Sequence, residues 1–132
     1  MANELVAVRD NWLDLADRLK DLPMPFEQEI FLTECDIAGT LHVDDIMIKA
    51  QGVLDGTVVE LVLRREPGNE DDKMAICVET PDGKKLGYVP KGDNKILARL
   101  MDAGKMLSAR VVYKQVENHW LHIRMAIAMK EA

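Results

Sequence analysis

The densest chemistry in the sequence lies between Glu66 and Asp72, where Glu66, Glu70, Asp71 and Asp72 surround Pro67-Gly68-Asn69. Asn69 has the side chain of an Asx turn, bonding the backbone two residues on, and Asp72 can accept N–H bonds as the chain enters the next strand. A carboxylate at such a turn can also accept a hydrogen bond from a sugar hydroxyl while repelling a phosphate at the same spot. The spacing does not suit a metal. It is not that of an EF-hand loop, and the turn glycine such a loop requires is missing. His119 and His122 fall on opposite faces of a strand, so they do not share one ion. There is no Gly-rich phosphate loop leading into a helix, no nucleophile elbow and no HExxH motif. Neither catalysis nor a cofactor is expected.

The acidic turn must be held by the strands on either side. Val59, Leu61 and Leu63 alternate with Val58, Glu60, Val62 and Arg64, which is the period of a strand. Ala75-Ile76-Cys77-Val78 resumes β character, Pro81-Asp82-Gly83-Lys84 turns the chain, and Lys85 to Pro90 returns. Upstream, Glu29 to Ile37 reads as a strand with Phe31, Thr33, Cys35 and Ile37 on one face, and Gly39 bends the chain after it. Ile46 to Leu54 fits either a short helix or a strand. Downstream, Asp93 is placed to cap a helix with Ile96, Leu97, Leu100 and Met101 on its buried face, ending at Gly104. Lys105 to Gln115 reads as a long strand with Leu107, Ala109, Val111 and Tyr113 on one face. Glu117-Asn118 turns the chain into a last strand, His119 to Met129. There Leu121, Ile123, Met125, Ile127 and Met129 face one way, and Trp120, His122 and Arg124 the other. Short strands with little helix between them predict a mainly β fold, a small antiparallel barrel of about six strands with one internal helix.

An N-terminal amphipathic helix, residues 1–25, precedes this domain, residues 26–132. Leu5, Val8, Trp12, Leu15, Leu19 and Leu22 recur at spacings of three and four, with charged residues opposite. That stripe suits packing on the barrel or self-association into a homo-oligomer. The chain has 132 residues, 48% of them hydrophobic and 30% charged, which is the composition of an ordered globular protein. No apolar run reaches spanning length and no leader opens the chain, so a soluble, cytoplasmic protein is expected. Cys35 and Cys77 sit in apolar strand patterns and are expected to be reduced core residues. The formal net charge of −6 argues against tight, non-specific nucleic-acid binding, which rests on phosphate contacts.

Arg65-Glu66-Pro67, Asn69, Asp72 and Ala75-Ile76, followed by Gly87-Tyr88-Val89-Pro90-Lys91, resemble the signature of the HIRAN domain family over roughly residues 30–130, with Gly39 fitting an upstream glycine. The resemblance implies a β-barrel related to the OB fold and binding of single-stranded DNA at its 3′ end. It assigns Asp72 to the 3′-hydroxyl, and it places Tyr88 and Lys91 at the nucleotide site, against base and phosphate. Trp120 falls near the position of a further stacking aromatic. Asn69, Arg64 and His42 complete the expected nucleic-acid-binding set. Two departures lower the expected affinity. Leu41-His42-Val43 replaces an aromatic cluster and leaves only His42 to stack or donate, and Asp71 stands where the family has an aromatic. The alternative is a protein-interaction module that keeps the fold without binding DNA. A basic groove lined by Arg64, Tyr88, Lys91 and Arg124 would favour the DNA reading.

Overall fold

The computed structural model describes residues 28–130. The expected N-terminal helix, with Leu5, Val8, Trp12, Leu15 and Leu19, lies outside the described residues. Six strands, β1 (Glu29–Asp36), β2 (Glu60–Arg65), β3 (Ile76–Glu79), β4 (Lys85–Tyr88), β5 (Leu107–Glu117) and β6 (Trp120–Lys130), form one antiparallel sheet in the order β1-β6-β5-β2-β3-β4. A 3-10 turn (Thr40–His42) and two helical turns, α1 (Ile46–Lys49) and α2 (Gln51–Leu54), connect β1 to β2, and α3 (Lys91–Asp102) connects β4 to β5. The ambiguous stretch from Ile46 to Leu54 is therefore helical.

The sheet curls until its two ends touch, but they meet only at a bridge between Ala38 and Tyr88, with hydrogen bonds of 2.8 and 2.9 Å. The fold is thus a half-barrel rather than the full barrel expected. The ends are too short to pair further: β4 has four residues, and the chain leaves the sheet after Ala38 for the 3-10 turn. Gly87 makes the bridge possible. A Cβ there would overlap the Ala38 carbonyl oxygen and stand 2.7 Å from Ile37 Cγ2.

The inner face of the sheet forms the core. Ile76, Val78, Leu86, Leu121, Ile123, Met125 and Ile127 are all essentially inaccessible to solvent. β6 keeps strict alternation, so its inward set is the one read from the sequence. In β1 and β5 the alternation fails partway, because each strand carries a bulge. Phe31 pairs with Ala128 and Thr33 with Ile127, while Val111 pairs with Met125 and Tyr113 with Arg124. One inserted residue shifts the phase of everything on its far side. Phe31 and Tyr113, read onto the same strand faces as Cys35 and Ala109, do not follow them into the core and are exposed at 62% and 52%. The turn into β6 is Asn118-His119, both with positive φ, so His119 belongs to the turn and not to the strand. Two left-handed residues give the turn the twist that hairpin strands require.

α3 starts at Lys91 with Pro90 at its N-cap position, so Asp93 lies in the first turn rather than capping it. An acidic residue there complements the helix dipole. The buried stripe is Asn94, Leu97 and Ala98, with Met101 packed beside it, and Ile96 is exposed. Ile96 was expected inside, but the stripe at spacings of three and four turns it to solvent. Gly104, at φ 89, ends the helix as expected, bonding its N–H to the Met101 carbonyl. Arg65 ties α3 to β2 through Asp102, at 2.9 and 3.0 Å. Among the described residues no helix is long and apolar enough to cross a membrane.

Candidate nucleic-acid interface

Three separate segments enclose a pocket of about 590 Å³ beside the Ala38–Tyr88 bridge. Ala38, Gly39 and His42 form one wall. Asn69, Asp71, Asp72 and Ala75 form the second, and Lys85, Tyr88, Val89 and Lys91 the third. Five of the seven residues expected at a nucleic-acid site therefore line a single cavity: His42, Asn69, Asp72, Tyr88 and Lys91. Gly39, at φ 76, makes the sharp turn that presents the first wall.

Asn69 organises the second wall. Its Oδ1 accepts the N–H groups of Asp71 and Asp72, at 2.9 and 3.1 Å, and its Nδ2 donates to Glu66 Oε1 at 3.2 Å. Its polar atoms are occupied by the loop, so it shapes the wall. Asp72 Oδ1 accepts the Met74 N–H at 2.9 Å, and Oδ2 accepts the Asn94 side-chain amide at 2.7 Å. Those two bonds hold the Asp72 carboxyl below its ordinary range, so it is ionised at neutral pH. A carboxylate has about four lone-pair sites, so a ligand hydroxyl can still bond to it.

The third wall is tied to the second. The Tyr88 hydroxyl donates to Glu66 Oε1 at 2.8 Å and accepts from Lys85 Nζ at 2.8 Å. The Lys85 ammonium also lies 4.4 Å from the centre of the Tyr88 ring. That ammonium pulls the Tyr88 hydroxyl pKa down, but burial and the bond to Glu66 outweigh it, and the net shift is upward. Partial burial raises the Glu66 carboxyl, but hydrogen bonds from Tyr88 and Asn69 prevail and hold it below its ordinary value of 4.5. A carboxyl with a depressed folded pKa contributes stability above its unfolded pKa and loses it as pH falls through the folded one. Both Glu66 and Asp72 have this sign. The urea midpoint should therefore drop as pH falls from neutral to below the ordinary carboxylate values of 4.5 and 3.8. In Glu66→Gln the drop should be smaller, as read by urea titrations at the two pH values. An equal drop would remove Glu66 from this account.

Arg64 and Trp120 do not line the pocket. Arg64 is held by Glu79 at 2.9 Å and Glu66 at 3.3 Å. Trp120 stands on the outer face of β6 against the His122 ring, with centroids 4.3 Å apart. Arg124 is paired with Glu34 at 2.6 Å and Asp36 at 3.2 Å. The basic groove of Arg64, Tyr88, Lys91 and Arg124 does not form. The pocket instead mixes Lys85 and Lys91 with Asp71 and Asp72. Cys35 and Cys77 are buried free thiols, each pushed up to about 11 chiefly by burial, so neither is a nucleophile at neutral pH. Among the described residues no cluster of His, Cys, Asp or Glu is arranged to hold a metal ion.

Lys85 was missed in the sequence. Strict alternation puts Lys85 and Tyr88 on opposite faces of β4. A register shift pairs Gly87 with Val78 but Lys85 with Glu79, leaving Leu86 as an inserted residue. Leu86 and Gly87 then both face inward, and Lys85 and Tyr88 both face out. Gly87 in mid-strand was the one available sign of a bulge.

A curled antiparallel half-barrel with a preformed, mixed-charge pocket at the meeting point of its edges has the build of a small binding module. The chain belongs to the HIRAN domain family, which matches residues 30–131. The fold is similar to a crystal structure of a protein from Lactobacillus plantarum, with a TM-score of 0.69 and 29% identity over 80% of this chain and 98% of that one. It is also similar to the crystal structure of the HIRAN domain of human HLTF, with a TM-score of 0.55 and 20% identity over 78% and 81% of the two chains. The solution structure of the HLTF HIRAN domain in its DNA-bound conformation gives a TM-score of 0.51 and 20% identity over 81% and 84%. No curated protein matches the sequence.

Proposed function

We propose that this protein binds the 3′ end of single-stranded DNA, weakly, in the pocket between Gly39, Asp72 and Tyr88. The observation that carries this reading is convergence: His42, Asn69, Asp72, Tyr88 and Lys91, from distant parts of the chain, line one cavity. The family match and the DNA-bound conformation of the HLTF domain support it. Asp72 accepts the terminal hydroxyl and repels a terminal phosphate. Tyr88 stacks on the last base, a contact of about 1–3 kcal/mol. Lys91 meets a phosphate, His42 donates from the opposite wall, and Asn69 holds Asp72 in place. Arg64 and Trp120 fall outside this set. The Asp71 carboxylate beside the phosphate path subtracts from affinity, so binding in the micromolar range at low salt is expected.

Lys91→Ala tests the reading. Losing one charge-assisted contact should weaken binding about tenfold at low salt. It should also reduce the slope of log affinity against log salt by about 0.7, the value for one phosphate on a single strand. Fluorescence anisotropy with a short oligonucleotide measures both. An unaltered affinity and slope would place the ligand elsewhere. Absence of binding by the unmutated chain at low salt would favour the interaction module, in which the same fold serves a protein partner.

A further inference from the structure

We propose that Lys85 is a second phosphate-contacting cation of this pocket, preorganised on Tyr88 and paired in function with Lys91. The proposal rests on the reading of the pocket as a DNA-end site, and adds a residue to it.

The positive charges of the outer sheet face are largely spent on carboxylates. Arg64 is bound to Glu79 and Glu66, Arg110 to Glu60, and Arg124 to Glu34 and Asp36. Lys85 is different. It forms no ion pair with any described carboxylate, although its strand partner is Glu79. Arg64 holds Glu79 through two bonds, at 2.9 and 3.2 Å, and Glu66 Oε1 already takes the Tyr88 hydroxyl and the Asn69 amide. The only side-chain hydrogen bond Lys85 makes among the described residues is to the neutral oxygen of Tyr88. An ammonium has three donors, so two remain for a ligand.

Its position is also fixed in advance. The bond to Tyr88 at 2.8 Å and the ring 4.4 Å away hold a side chain that is otherwise rich in rotamers. A cation ordered before binding loses less entropy when a phosphate arrives. The bulge at Leu86 turns Lys85 to the same side as Tyr88, so charge and stacking surface face one cavity. Lys91 lines the same cavity, so both charges face the ligand path.

Lys85→Met keeps the stem and removes the charge, and Lys85→Arg restores the charge. Affinity for a short single strand is measured by anisotropy from about 50 to about 200 mM salt, with thermal melts as a check on folding. Two phosphate contacts predict a loss of about sevenfold across that range for the unmutated chain and for Lys85→Arg. One contact predicts about 2.6-fold for Lys85→Met. If Lys85 only orients Tyr88, Lys85→Met weakens binding but leaves the salt dependence of the unmutated chain, and the assignment is overturned. Absence of binding by the unmutated chain would instead sink the DNA-end reading itself, and Lys85's role with it.

Discussion

Gly87→Ala should lower the stability of the domain by about 3 kcal/mol and open the pocket. The new methyl group would collide with the Ala38 carbonyl oxygen and crowd Ile37, and both belong to backbone or to the packed core. Overpacking of this kind costs about 1–3 kcal/mol, and relief by separation of the strands breaks the two Ala38–Tyr88 hydrogen bonds at about 1 kcal/mol each. A thermal melt should show a fall of about 12 °C. Gly68→Ala is the control, because a Cβ there meets nothing within 4 Å, and its melt should match that of the unmutated chain. The bridge joins Ala38, just past β1, to Tyr88 in β4, and the first and third walls of the pocket hang from it. Ligand binding should therefore weaken together with stability. A Gly87→Ala variant with an unchanged melting temperature would show that the sheet ends are not held together there.

Asp72→Ala should have two effects, and separating them matters. Asn94 is 3% exposed, and its side-chain amide donates to Asp72 Oδ2 at 2.7 Å. Removing the acceptor strands a buried amide, at about 1–3 kcal/mol. The same substitution should erase any preference for a 3′-hydroxyl over a 3′-phosphate. Asn94→Ala removes the bond from the other side and leaves the carboxylate. It should lower the melting temperature while keeping the end preference, as read by anisotropy with oligonucleotides that differ only at the 3′ end. If Asn94→Ala abolishes the preference as fully as Asp72→Ala, the carboxylate acts through loop shape and not by contact with the ligand.

Local patterns in the sequence were reliable in the strand that keeps its alternation, and less so in α3, where Ile96 faces solvent and Pro90 takes the N-cap position. β6 alternates over its whole length, and its inward residues could be named. The acidic turn, the end of α3 at Gly104 and the glycine at position 39 were equally legible, since each rests on the chemistry of neighbouring residues. What could not be read depends on residues far apart. The bulges near Leu32, Leu86 and Val112 insert one residue each, and apart from Gly87 beside the second nothing in the local sequence marks the shift. They turned Phe31 and Tyr113 outward and brought Lys85 to the pocket. Asn94, a polar residue in the buried stripe of α3, makes sense only beside Asp72, twenty-two positions earlier. Arg64 and Arg124 looked available as cations, but strand pairing sets them against Glu79, Glu34 and Asp36. The half-barrel differs from a closed barrel because β4 is short, which is again a matter of pairing.

The most direct test of the central claim uses the unmutated chain and two single-stranded oligonucleotides of one sequence, one ending in a 3′-hydroxyl and the other in a 3′-phosphate. Anisotropy titrations at low salt compare them. An ionised Asp72 at the end of the nucleotide path predicts tighter binding of the hydroxyl end, by about tenfold for one charge-assisted hydrogen bond gained and one repulsion avoided. Equal affinity for the two ends, or no binding of either, would contradict the account.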